Sequence, residues 1–342
     1  MIRLSLEVAV ELLPVGNRVA GEASGRQGWG VREAGKIFGV LMLLALSGRA
    51  AAEERRFSFE RPLMGTRFAI ICHGSEEAVA KAAADEAFAE GEKINAVASD
   101  YLPDSELMRL PSGGAAVEVS PLLADLLEVS RTMAERCGGA FDPTLGPLTV
   151  LWRESRRTAE LPADGDRATA LAACGWRELE FDGKARTVRL KKPGMRLDLG
   201  GIAKGFAADR MFEVMLRHGF ARTCIAAGGD LRLGDPPPGK PGWKVGLKTF
   251  DPGKPEEVVE LSNCAVSTSG DLHQFVEIGG KRYSHILDPR TGLGLTERVA
   301  VSVIAPTATV SDALATACCV TGAAGAEEFG LKRGATRVIV RK

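Results

Sequence analysis

The stretch Leu197 to Arg210, LDLGGIAKGFAADR, constrains the fold of this chain more than any other. Met195, Leu197 and Leu199 alternate with Arg196 and Asp198, a period-2 pattern that predicts a half-buried strand. Gly200-Gly201 allow a tight turn, and a helix follows in which Ala203, Ala207, Met211, Val214 and Met215 share one face until Gly219 stops it. A strand entering a helix through two glycines turns free N–H groups and the positive helix end toward one point, beside the cation of Lys204. That point suits an anion. The same residues also fit a plain strand-to-helix corner with a solvated lysine, and the stretch alone does not choose between the two.

With 342 residues the chain is long enough for one large domain or two intimately packed ones. Its 44 Lys and Arg balance 44 Asp and Glu, and aromatic residues make up 6%, so neither a basic nucleic-acid surface nor a base-stacking platform is indicated. Small molecules or proteins are the partners this balance favours. Lys36 precedes an apolar run, Ile37 to Leu46, too short to span a bilayer but the length of a secretory h-region, and Ala50-Ala51-Ala52 then supply small residues. We read residues 1–52 as a cleaved signal peptide with an upstream extension; a start at Val31 would give a compact signal. Seven cysteines leave at least one unpaired in a monomer, and their spacing matches no zinc or disulfide framework, so most read as small buried hydrophobes.

Along the remaining chain, Phe57 to Cys72 reads as a strand broken by Pro62 and Gly65, followed by an Ala- and Glu-rich helix to about Ala98. Tyr101 sits in the loop SDYLPDSEL, where it fits a loop anchor. Ser120-Pro121 marks a helix start, and Ala140-Phe141-Asp142-Pro143-Thr144 reads as an Asx turn before a proline. Leu151 to Gly175 is charged and helical, consistent with packing and solubility. Glu178 to Arg196 reads as a hairpin about Asp182-Gly183, and Gly228-Gly229-Asp230 as a second glycine turn ending in an acid. His285 ends a strand beside the turn Asp288-Pro289-Arg290-Thr291-Gly292. On the last long helix Asp312 and Thr316 are four apart, so a carboxylate and a hydroxyl project from one face of an otherwise apolar helix. A first-turn acid with an internally bonded threonine is the plainer alternative. Strands and helices mix irregularly, which favours an α+β architecture.

Several sites are excluded. GGIAKG is neither a dinucleotide fingerprint nor a Walker loop, no G-x-S-x-G elbow occurs, and the four histidines form no zinc pair. An oxygen-ligand pair, two glycine corners, a lysine and a histidine remain; hard oxygen ligands favour magnesium or calcium, and the combination suits a diphosphate ligand.

In order along the chain, M-G-T, S-D-Y-x-P-x-S-E-L, A-F-D-P-T, L-D-L-G-G-I-A-K-G, A-A-G-G-D, S-T-S-G-D, H-I-L-D-P-R-T-G and S-D-A-L-A-T-A resemble the ApbE family of FAD:protein FMN transferases, from about Leu63 to Gly322. The resemblance implies an α+β fold with a tunnelling-fold-like core over residues 57–342 and an exported, Mg2+-dependent enzyme. Such an enzyme cuts FAD at its pyrophosphate and attaches FMN to a threonine or serine of a partner flavoprotein, a respiratory or electron-transfer subunit bearing a threonine-containing target motif, releasing AMP. By the same resemblance Asp312, Thr316 and the Gly201 carbonyl would hold the metal, Gly201 standing where alanine or threonine is common. Met64, Tyr101, Ala140, Phe141, Asp142, Asp198 and Lys204 would line the flavin nucleotide site, and His285 would activate the acceptor hydroxyl. Many members carry a lipobox cysteine after the signal; Ser47-Gly48-Arg49-Ala50 has none, so the expectation is a soluble periplasmic protein. FAD hydrolysis to FMN and AMP, and non-catalytic FAD binding, are the competing readings.

Overall fold

The structure is a computed structural model that describes residues 54–247, 257–271 and 274–342. The signal-peptide reading of residues 1–52 lies outside the described residues. In chain order the elements are β1 (Arg55–Leu63), β2 (Thr66–Gly74), α1 (Glu77–Ala98), β3 (Val117–Glu118), α2 (Pro121–Arg136), α3 (Gly146–Thr158) and α4 (Asp164–Ala172). Then follow β4 (Leu179–Asp182), β5 (Thr187–Leu190), α5 (Ala203–Arg217), β6 (Thr223–Ala227), β7 (Asp230–Leu233), β8 (Trp243–Leu247), β9 (Glu257–Leu261) and β10 (Cys264–Gly270). The chain ends with β11 (Phe275–Ile278), β12 (Lys281–Ser284), β13 (Ala300–Ala305), α6 (Ala308–Thr321), α7 (Ala326–Leu331) and β14 (Arg337–Arg341).

Seven strands pair antiparallel in the order β1-β2-β6-β7-β10-β13-β14, and with the helices packed on this sheet the architecture is α+β. One face carries α1, α5 and α6, whose apolar residues merge with Phe68, Ile70, Ile225, Ala265, Val301 and Val303 into the main core. The other face is covered by the β8-β9 hairpin, with Trp243, Val245, Leu247 and Val259 packed on Ile71, Leu231, Leu233, Val266 and Ile304. Burial of both faces explains why β13 is apolar or small at each of its six positions, all buried, rather than alternating. A third cluster joins Leu148 and Trp152 of α3 to Tyr283 and Leu287, flanking the segment that carries His285.

Two local expectations are corrected. Phe57 to Cys72 is not one interrupted strand but a hairpin closed by Leu63 opposite Thr66, with Met64 (φ 49°) and Gly65 (φ 70°) both left-handed. That is the two-residue turn whose twist matches antiparallel strands, and Pro62 is tolerated because β1 is an edge strand. The residues 195–199 do run extended with Met195, Leu197 and Leu199 buried, but they join no sheet; Arg196 makes only an isolated bridge to Leu145. Their alternation comes from lying across the core, not from a ladder. The helix beyond them matches its expected face, with Ala203, Ala207, Met211, Val214 and Met215 all buried. All seven cysteines are free thiols, six of them buried, and desolvation pushes Cys72 and Cys137 up to about 11.

Candidate active site

A cleft of about 920 Å3 opens where α3, the 198–204 corner, the β6-β7 turn, the end of β10, the 285–287 segment and α6 converge. Met64, Tyr101, Ala140, Phe141, Asp142, Asp198, Gly201, Lys204, His285, Asp312 and Thr316 all line it.

The floor is built by α5 packing on α6. Gly205 makes this possible, because a Cβ there would lie 2.2 Å from the Ala308 carbonyl oxygen. At that separation the Gly205 N–H donates to Asp312 Oδ2 at 3.0 Å. Lys204 Nζ lies 3.4 Å from Asp312 Oδ2 and 3.0 Å from Asp230 Oδ2, so one ammonium faces two buried carboxylates. Burial and the neighbouring Asp230 charge push Asp312 up to about 7, against the pull of Lys204 and the Gly205 N–H. Burial draws Lys204 down, but the two acids outweigh it and hold the ammonium above its ordinary range. Thr316, one turn beyond Asp312, has its Oγ1 3.3 Å from Ser269 Oγ, and a methyl placed on Gly201 would sit 3.2 Å from the same hydroxyl.

Asp312 and Thr316 thus bring a carboxylate and a hydroxyl into the same cleft as the Gly201 backbone, in a pocket with more acid than base, and hard oxygens of this kind fit Mg2+. Among the described residues no group of three or more His, Cys, Asp or Glu that could hold a metal ion forms.

His285 follows β12 and turns its Nδ1 to the Gln274 carbonyl oxygen at 3.1 Å. A carbonyl only accepts, so Nδ1 carries the proton and Nε2 keeps a lone pair. Burial lowers the imidazole to about 4, the Gln274 bond opposing this and the Arg156 and Lys204 charges adding to it. Asp198 is held by the Gly200 N–H at 2.8 Å and the Thr149 hydroxyl at 2.7 Å. Asp142 closes the expected Asx turn, accepting from the Thr144 N–H at 2.8 Å, the Thr144 hydroxyl at 2.6 Å and the Trp176 N–H at 3.2 Å. Its carboxylate is therefore engaged within the wall of the cleft.

Tyr101 is 74% exposed at the rim, with the Arg153 guanidinium 3.8 Å from its ring centroid and Arg153 in turn paired to Asp100. Burial and the Asp198 charge raise Asp100. Sequence reasoning missed Asp100, Arg153, Arg156, Gln274 and the site role of Asp230. The glycine turn before Asp230 and the position of Asp100 beside Tyr101 were available signals. Arg153 and Arg156 gave none; the packing expected for Leu151 to Gly175 is seen in Trp152, Ala170 and Cys174, and α3 forms a wall of the cleft as well.

The ApbE family profile matches residues 64–339. This chain belongs to the ApbE family. Its ApbE relatives include a Treponema pallidum FAD:protein FMN transferase, 36% identical over 79% of this chain and 80% of that protein, and a Klebsiella pneumoniae one, 31% identical over 82% and 83%. Among solved structures, the Thermotoga maritima ApbE protein superposes with a TM-score of 0.76 at 30% identity, covering 84% of this chain and 94% of that one. The apo Pseudomonas stutzeri flavinyl transferase ApbE gives 0.74 at 27% identity over 83% and 90%. The ApbE match extends through every element that lines the cleft, from the Met64 turn to α6.

Proposed function

We propose that this protein transfers FMN from FAD to a threonine or serine hydroxyl of a partner protein, releasing AMP, in a Mg2+-dependent reaction. The observation that supports this reading is that Asp312, Thr316, Gly201, Lys204 and His285 line one cleft, with the Lys204 ammonium beside Asp312 and the imidazole Nδ1 taken up by the Gln274 carbonyl. The names of the relatives support the same chemistry.

Mg2+ held by Asp312, Thr316 and the Gly201 carbonyl would supply neutralising charge to the diphosphate. The chain's own residues do the rest. Lys204 faces the phosphates as a permanent cation, and Tyr101 offers an exposed ring at the rim for the flavin system. His285 Nε2 accepts the proton of the incoming hydroxyl as its oxygen attacks the FMN phosphorus; the bond to the AMP phosphate breaks and AMP departs with that oxygen. The Gln274 carbonyl fixes the tautomer this requires. The imidazole is neutral at pH 7 and needs no prior deprotonation. We also assign the protein to the periplasm, from the signal-like segment Ile37 to Leu46.

The test is incubation of the purified protein with FAD, Mg2+ and an acceptor flavoprotein subunit, reading covalent flavin by in-gel fluorescence and AMP by chromatography. Covalent flavin with matching AMP is expected. Free FMN and AMP with an unmodified acceptor would identify a pyrophosphatase, and no AMP at all a binding protein.

A further inference from the structure

The helix that carries Asp312 and Thr316 is held at its start by a residue from another helix. Asp209, on α5, accepts from the Ala308 N–H at 2.9 Å through Oδ1, and from the Thr309 N–H at 2.8 Å and the Thr309 hydroxyl at 2.6 Å through Oδ2. The next N–H, of Val310, goes to the Thr307 hydroxyl at 3.3 Å, and that of Ser311 to the Thr307 carbonyl at 3.1 Å. Every N–H of the first turn of α6 is therefore satisfied, two of them by a side chain about a hundred positions earlier in the chain.

Asp209 is itself anchored to the sheet. Arg232 of β7 places Nε 3.1 Å from Asp209 Oδ1, gives Nη1 hydrogen bonds to the Leu233 and Cys264 carbonyls at 2.9 and 3.1 Å, and stacks on Phe212. A continuous set of contacts thus runs from β7 and β10 through Arg232 and Asp209 to the first turn of α6. Asp312 stands about one turn beyond Thr309, and Thr316 one turn beyond that.

We propose that Asp209 is a positioning residue of the metal site, setting the axial position of α6 so that Asp312 and Thr316 meet the Gly201 carbonyl. The inference rests on the reading of those three groups as the metal donors. A neutral amide cannot substitute for the carboxylate. Donors approach both oxygens, so either orientation of an asparagine turns its NH2 toward an N–H and leaves part of the first turn unpaired. A released first turn no longer fixes where α6 sits on α5, and the two donors move with it.

The experiment compares wild-type, Asp209→Asn and Asp312→Ala proteins by calorimetric titration with Mn2+ in place of Mg2+, with circular dichroism to verify folding. Asp209→Asn is expected to weaken Mn2+ binding by about tenfold, the low end of what loss of a group supporting a metal ligand does. Its KM for Mg2+ in FAD turnover should rise by a similar factor while kcat at saturating Mg2+ stays near wild type. A purely structural role would lower kcat and melting temperature and leave the Mn2+ constant unmoved, which would overturn the proposal. Should Asp209→Asn not fold, Thr309→Val, which removes one donor and keeps the side-chain shape, replaces it; weaker Mn2+ binding supports the proposal and an unchanged constant refutes it. Asp312→Ala separates the two layers. If it abolishes Mn2+ binding while Asp209→Asn does not change it, only the positioning role falls; if it too leaves binding intact, the metal assignment falls and the positioning role with it.

Discussion

His285 directs Nδ1 at the Gln274 main-chain carbonyl, 3.1 Å away, and so presents Nε2 without a proton. A hydrogen bond to backbone cannot be removed by a side-chain substitution at position 274, so the tautomer is built into the fold. His285→Ala is expected to retain FAD binding and lose transfer by about 10²- to 10⁴-fold, the range for a general base. Fluorescence titration with FAD and the in-gel assay check the two halves.

The same residue shapes the dependence of stability on pH. In the unfolded chain the imidazole protonates at its ordinary value of 6.5, in the folded protein only near 4. Between these values the unfolded state binds more protons, so this group's contribution to stability rises with pH from about 4 to 6.5 and is constant above. Denaturant midpoints measured across that interval should climb less steeply for His285→Gln than for wild type. Parallel curves would show that the imidazole is not held neutral by burial.

Lys204 places its ammonium between Asp230 and Asp312. Lys204→Met leaves two buried carboxylates facing each other and is expected to cost about 3–5 kcal/mol of stability in metal-free buffer, as for a broken buried ion pair. Added Mg2+ should restore part of the loss, because the cation would replace the missing charge. Urea unfolding with and without Mg2+ measures both; a variant as stable as wild type without metal would contradict the account.

For Asp312→Ala we expect Mg2+ affinity to drop by about 100-fold or more, since removing an outer-sphere partner already costs about 10- to 100-fold. Chelation of Mg2+ should silence the wild-type protein and its readdition restore it. Turnover that persists in excess chelator would rule out the metal site.

Gly205→Ala tests the helix contact beneath the site. The added methyl would stand 2.2 Å from the Ala308 oxygen and 2.9 Å from Asp312 Cβ. Forcing α6 away should cost about 1–3 kcal/mol and weaken Mg2+ binding together with stability. A melting temperature within a degree of wild type would mean that the two helices can separate without strain.

Much of this was legible from neighbours in sequence. The Ser120-Pro121 start of α2, the Asx turn at Asp142, the one-sided face of α5 and the shared presence of Asp312 and Thr316 on the cleft side of α6 each depend on residues within about four positions of one another, and each took its expected form. Ordered motif blocks likewise pointed to the family. Residues 195–199 show the limit: the alternation was real, but whether alternating residues join a ladder depends on what lies beside them.

By itself the sequence determined the local turns, the helix limits and which residue types carry the chemistry, because those follow from backbone preferences and short-range hydrogen bonding. Only the tertiary structure decided that Asp230 shares Lys204 with Asp312, that Arg153 backs Tyr101, that Gln274 sets the His285 tautomer and that Asp209 caps a helix far along the chain. Those partners are joined by the burial of apolar faces on the seven-stranded sheet, and charge separation or hydrogen bonding across such distances in sequence has no periodic signature.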